Sequence, residues 1–120
     1  MAAPNLKNPT TITGITTVVN LSTTALTDIL TNPSGSNKVL KINTILAANV
    51  DGTSAADVSV SVLRGGVDYY LAKTVSVPAD ATQVLCSKDI YFYLEENVEL
   101  RAQASAADDI HITIGYEEIS

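Results

Sequence analysis

The sequence is short of the residues that most often carry chemistry. Among 120 residues there is one cysteine, one histidine, one methionine and no tryptophan. A lone thiol, Cys86, cannot close an intramolecular disulfide, so a disulfide-stapled scaffold is excluded. Charged residues make up 17% of the chain, below the ~25% of an ordinary soluble domain. Seven Lys and Arg against thirteen Asp and Glu leave a net charge of −6. That sign argues against a nucleic-acid-coating protein, which needs a basic patch to meet phosphates. No apolar run approaches the ~18 residues of a membrane-spanning helix. The opening Met1-Ala2-Ala3-Pro4-Asn5-Leu6-Lys7-Asn8-Pro9 has neither a basic n-region nor an apolar h-region. It therefore reads as lacking a secretory signal, and the chain is expected to be made in the cytoplasm.

What remains is a folded chain, not a disordered acidic tail, because 46% of it is hydrophobic. Its length suits one domain. A domain of this size buries roughly two-thirds of its unfolded surface, enough for a core without metal or disulfide support. The polar remainder is mostly Thr, Ser and Asn, so the exterior is unusually uncharged for a soluble domain.

The hydrophobic pattern repeats every two residues. Val58, Val60 and Val62 alternate with Asp57, Ser59 and Ser61, the pattern of a half-buried strand. Ile110, Ile112, Ile114 and Tyr116 form a second apolar face. Leu40, Ile42, Thr44, Leu46 and Ala48 form a third, Ile90, Phe92 and Leu94 a fourth, and Val98, Leu100, Ala102 and Ala104 a fifth. Turn chemistry separates these runs at 32–37, Asp51-Gly52, Arg64-Gly65-Gly66-Val67-Asp68, Pro78-Ala79-Asp80, Glu95-Glu96-Asn97 and 106–109. Strands are expected at 10–20, 23–31, 38–48, 57–64, 69–77, 82–87, 90–94, 98–104 and 110–117, with no helix and a last hairpin closed at 106–109. Eight or nine short strands at this spacing predict an all-β, single-domain antiparallel β-sandwich of jelly-roll or Ig-like type over residues 10–120. Residues 1–9 lack alternation and read as an extended N-terminal arm.

Few constellations could support catalysis. Cys86 and His111 are the only thiol–imidazole pair, and no glycine-rich nucleophile elbow flanks Cys86. A small buried residue at Cys86 and a solvent-facing His111 is the plainer reading. Zinc spacing is absent. Asp51, Asp57, Asp68, Asp80, Asp89, Asp108 and Asp109 all fall in or beside turns, where calcium ligands are found, yet turn-making and solubility explain them as well. Glu95, Glu96, Glu99, Glu117 and Glu118 lie in turns, on a strand or at the end of the chain, where a substrate cleft is hard to build. Gly65-Gly66 lacks the Lys-Ser/Thr and the helix of a phosphate loop. The chain is expected not to be an enzyme and to hold no cofactor.

Five of the six aromatic residues are tyrosines. Adjacent strand residues face opposite ways, so one ring of Tyr69-Tyr70 points outward. Tyr91 and Tyr93 share the phase opposite Phe92. Such rings suit a protein interface, combining area with a hydroxyl, and they also suit sugar stacking. In the arm, Pro4 and Pro9 remove backbone donors and stiffen the chain, Leu6 offers an apolar anchor, and Lys7 a rim contact. These features predict an interface using Pro4, Leu6, Lys7, Tyr69, Tyr70, Tyr91 and Tyr93, and a homo-oligomer, with a trimer as the expected form.

Four stretches carry a family resemblance: Asn49-Val50-Asp51-Gly52-Thr53-Ser54-Ala55-Ala56-Asp57-Val58-Ser59-Val60, the run from Tyr69 to Ala81, the run from Tyr93 to Ala102, and the ending Gly115-Tyr116-Glu117-Glu118-Ile119. Through them the chain resembles small virion structural proteins of tailed bacteriophages, notably phages of cyanobacteria and other marine bacteria. The likeness covers most of the chain from about residue 35 onward and rests on turns and strands, so it brings no catalytic residues. It implies a place in the virion as a capsid decoration (cement) subunit on the major capsid protein, or as a neck, tail or fibre component, including an adhesin for host-surface glycan. From the acidic charge and the lack of a long apolar run, no nucleic-acid and no membrane partner is expected.

Overall fold

The computed structural model describes residues 4–120, and among these the only helical segment is a single 3-10 turn at Lys88–Ile90. Nine strands follow one another: β1 Ile12–Asn20, β2 Thr27–Asn32, β3 Val39–Asn49, β4 Ala56–Arg64, β5 Val67–Val77, β6 Thr82–Cys86, β7 Phe92–Leu94, β8 Val98–Ala104 and β9 Ile110–Ile119. They form two antiparallel sheets packed face to face. The first sheet has the order β1-β9-β3-β6, with β7 continuing along the β6 edge of β3. The second has the order β2-β8-β4-β5. Counting β6 and β7 as one interrupted strand gives two four-stranded sheets wired as a jelly roll, not as an Ig-like sandwich.

Among the described residues, only β4 and β5 are consecutive strands paired with each other. Their connection has Gly65 and Gly66 at φ +60° and +79°, with Arg64 opposite Val67. Two positive φ values in a two-residue loop are what right-twisted strands require, and glycine supplies them without a Cβ clash. The turn at 106–109 is a corner, not the expected hairpin, because β8 and β9 lie in different sheets.

The core fills the space between the sheets. Val98, Leu100, Ala102 and Ala104 of β8 face Ile110, Ile112, Ile114 and Tyr116 of β9, and all are buried, as the alternation predicted. The third expected face is corrected. A bulge at Asn43 shifts the β3–β9 register between Ile42 and Thr44. Leu40 and Ile42 point inward before it, and Ile45, Ala47 and Asn49 after it. Thr44, Leu46 and Ala48 are thereby turned outward, because one extra residue inverts a period of two. The fourth face is corrected as well: the strand starts at Phe92, and Ile90, in the 3-10 turn, is 64% exposed. On β4 the polar phase is also covered. Ser59 and Ser61 are buried, accepting the Thr74 N–H and donating to Asp68 Oδ1 respectively.

Two buried asparagines close the ends of the sandwich. Asn32 at the end of β2 donates to the carbonyls of Lys38 and Leu94, and its Oδ1 accepts the Ser36 hydroxyl. Asn49 at the end of β3 donates to the carbonyls of Ser54 and Val77, and its Oδ1 accepts the Asp51 N–H. Each ties one sheet to the other or to a corner loop, using nearly all of its amide capacity.

The first three residues of the expected arm lie outside the described residues. The rest is not extended throughout. Asn5 Oδ1 accepts the Lys7 N–H, and the Asn8 N–H bonds the Asn5 carbonyl, so residues 5–8 form an Asx-type turn. Pro4 and Pro9 are half-buried, while Leu6 and Lys7 are exposed. Thr11 then exchanges backbone bonds with Ser120, and β1 begins.

Candidate protein-interaction interface

The two sheets show unlike outer faces. On the first sheet, the register places Val18, Thr113, Leu46 and Val84 in one row across four strands. Thr16, Gly115 and Thr44 lie on one side of that row. Asn20, His111, Ala48 and Thr82 lie on the other. None of these residues is an Asp, Glu, Lys or Arg. Val18 is 73% exposed and Val84 55%, at the two ends of the row. A shallow groove of about 270 Å³ runs along the β1 corner, lined by Val18, Val19, Asn20, His111 and Thr113. Charge flanks these rows at both ends: the Asp108 carboxylate accepts from Asn20 Nδ2 at one, and at the other Lys38 pairs with Glu118 at 2.9 Å and Lys41 with Glu117 at 4.0 Å.

The second sheet's outer face is charged. Arg101 Nη1 donates to Asp68 Oδ2 at 3.1 Å. Its Nε lies 3.0 Å from Asp28 Oδ1, an ion pair without the alignment of a hydrogen bond. Glu99 sits beside this pair. A hydrogen bond with Asp28, then loss of water, push the Glu99 carboxyl above its ordinary value. A partner surface buried on this face would have to desolvate these charges, whereas the first sheet asks for no such cost.

The tyrosines divide between the two faces. Tyr91 and Tyr93 stand at the charged end of the first sheet, edge to face with centroids 5.8 Å apart, and the Lys41 ammonium lies 4.3 Å from the Tyr91 ring centre. Tyr70 turns to the second sheet's outer face, opposite Ser61, with the Lys73 ammonium 4.0 Å from its ring. Tyr69 lies on the opposite phase at the open edge and is 59% exposed. The seven residues expected to form one interface thus fall on separate regions: arm, β5 edge and β7 end. The uncharged row was missed by the sequence reading because the Asn43 bulge hides the outward phase of Leu46 and Ala48.

Cys86 and His111 are not brought together. Cys86 pairs with Ile45 in the core, where burial raises its thiol pKa, and His111 stands on the solvent face of β9. The aspartates are dispersed among local tasks. Asp51 accepts both the N–H and the hydroxyl of Thr53, which lowers its pKa, and Asp108 accepts from Asn20 Nδ2. Asp80 adopts φ +57° in the turn before β6. Among the described residues no three His, Cys, Asp or Glu side chains gather as metal ligands. Glu95 pairs with Arg64 at 2.6 Å, and Glu96 accepts the Gly35 N–H. Three surface depressions, of about 290, 270 and 170 Å³, each contain one titratable side chain: Asp57, His111 and Cys86 respectively. No protein-family model matches the chain, and a search of curated proteins finds no relative.

Proposed function

We propose that this protein is a virion structural protein of a tailed bacteriophage, a decoration subunit that binds the major capsid protein and stabilises the head shell. The observation that carries the reading is the middle of the first sheet's outer face, three rows without an Asp, Glu, Lys or Arg, with Val18, Thr113, Leu46 and Val84 in register across it. Such a face can be covered by protein without stranding a charge. The resemblance noted above gives the partner. The jelly roll is compatible with this but does not choose it, since capsid and lectin domains share that wiring. The exposed Leu6 and Lys7 of the N-terminal segment supply a second contact, apolar and basic, to a neighbouring subunit.

A second reading, a fibre or tail adhesin for host-surface glycan, draws on the exposed Tyr91 backed by Tyr93 and Lys41. Copy number in purified particles separates the two. A decoration subunit is present in hundreds of copies and is released by conditions that strip the shell. A few copies per particle, together with binding to host cells, would replace the first reading by the second.

A further inference from the structure

We infer that the free edge of β1 pairs with β1 of a second copy, antiparallel and across a two-fold axis, to join two first sheets into one. The hydrogen-bond phase fixes which groups are available. Thr11 and Ser120 exchange both backbone bonds, and the Leu21 N–H reaches the Ile110 carbonyl. In an antiparallel ladder, bonded pairs recur every second residue. The odd residues of β1 therefore spend their backbone groups on β9, and Ile12, Gly14, Thr16, Val18 and Asn20 aim theirs away from the sheet. Among the described residues no strand pairs with that edge.

The other sheet edges are blunted and this one is not. β5 carries two register shifts, a left-handed Thr74 at φ +53°, Lys73 and Asp68. β2 is six residues long and shifts register between Asp28 and Leu30. The β6–β7 edge is broken by the 3-10 turn. β1 is nine residues long, follows β9 without a shift, and lies within an uncharged stretch from Asn8 to Thr27. Bulges, charges and short length are the usual protections against edge pairing, and β1 has none of them.

The occupant is a second copy because the strand is complementary to itself. Centring the axis on Thr16 sets Thr16 against Thr16, Gly14 against Val18, and Ile12 against Asn20 of the two copies. All five outward-bonding residues are then used, giving about ten interchain bonds, two per facing pair. The highly exposed Val18 lies over the position where its partner has only a hydrogen atom, and a side chain at Gly14 would meet nothing in the isolated chain. Two chains of charge −6 meet here with no charge on either strand. A two-fold seam of this kind closes as a dimer, not as the expected trimer. One strand pair covers less than the ~1,200 Å² of a standard stable interface, so the dimer dissociates on dilution.

This inference does not rest on the virion reading, and its test needs no particle. Sedimentation equilibrium of the full chain over a wide concentration range is expected to show a monomer–dimer equilibrium. Val18→Lys, which adds a charge at a solvent-exposed site, is expected to weaken the dimer at least ~10-fold. Amide hydrogen exchange of the unsubstituted protein gives an independent readout should that variant misfold. The N–H groups of Gly14, Thr16 and Val18 gain protection as concentration rises, while those of Thr13, Ile15 and Thr17 are protected throughout. A monomer at every concentration, a trimer in place of a dimer, a dimer indifferent to Val18→Lys, or edge amides whose exchange ignores concentration overturns the inference.

Discussion

Asn49 Nδ2 donates to the Val77 carbonyl at 3.0 Å, joining the end of β3 in one sheet to the end of β5 in the other. The same amide also holds Ser54, and the carboxamide oxygen holds Asp51, so one buried side chain fixes the corner where the chain leaves the first sheet.

Asn49→Ala leaves two carbonyls and one N–H without this partner in a buried site. An expected loss of about 2–4 kcal/mol follows from the cost of orphaned buried polar groups. Denaturant unfolding measures it directly. As a control, Asn8→Ala at an exposed asparagine should shift the midpoint little.

Charge placed on the uncharged face should disrupt partner binding more than folding. Thr113→Glu lies in the Val18–Leu46–Val84 row and is half-buried by its neighbours only. Particle association, measured by co-sedimentation with stripped heads, is expected to fall at least ~10-fold, while the thermal midpoint moves by a few degrees. Equal binding by the two proteins would remove this face from the interface.

Glu99 provides a pH signature. Its hydrogen bond with Asp28 raises the carboxyl from an ordinary value of 4.5. The folded state therefore binds a proton more tightly than the unfolded state. The stabilising contribution is full below 4.5 and is lost as pH rises through the higher folded value. Glu99→Gln keeps a donor to Asp28 and carries no charge. It should thus flatten the pH dependence of urea stability in that window, by a small amount because the site is solvated and screened. An unchanged profile would mean the pair does not share a proton.

Cys86 should react slowly with thiol reagents in the native state, since it is 3% exposed and burial raises its pKa. Labelling is expected to accelerate sharply in denaturant. Cys86→Ala should cost roughly 1 kcal/mol, the scale of a small cavity, and leave particle association intact.

Deleting residues 1–9 tests the arm. Backbone pairing with the body starts at Thr10 and Thr11, so the sandwich should remain folded by circular dichroism. Weaker particle association is the expected result. Full association by the shortened chain would assign no binding role to Leu6 and Lys7.

Much of the local structure was legible from residue order. The apolar phases of β8 and β9 could be read because no bulge interrupts either strand's inward alternation over Val98–Ala104 and Ile110–Tyr116. The Gly65-Gly66 hairpin was legible because few residues tolerate two successive positive φ values. The candidate face was not. Its central row depends on the bulge at Asn43, and nothing local marks that residue as the extra one.

What the sequence determined by itself was the β class, the approximate strand positions and the scarcity of charge, all consequences of local alternation, turn chemistry and composition. Only the tertiary structure decided which strands share a sheet. The two residues Gly65-Gly66 serve as a hairpin after β4 and the five residues 105–109 as a sheet-crossing corner after β8, yet both runs carry turn chemistry, which by itself does not announce whether the next strand will pair or cross. That choice is made by burial of both inner faces at once. It is also what gathers Val18, Leu46, Val84 and Thr113, from four separate parts of the chain, onto one uncharged surface.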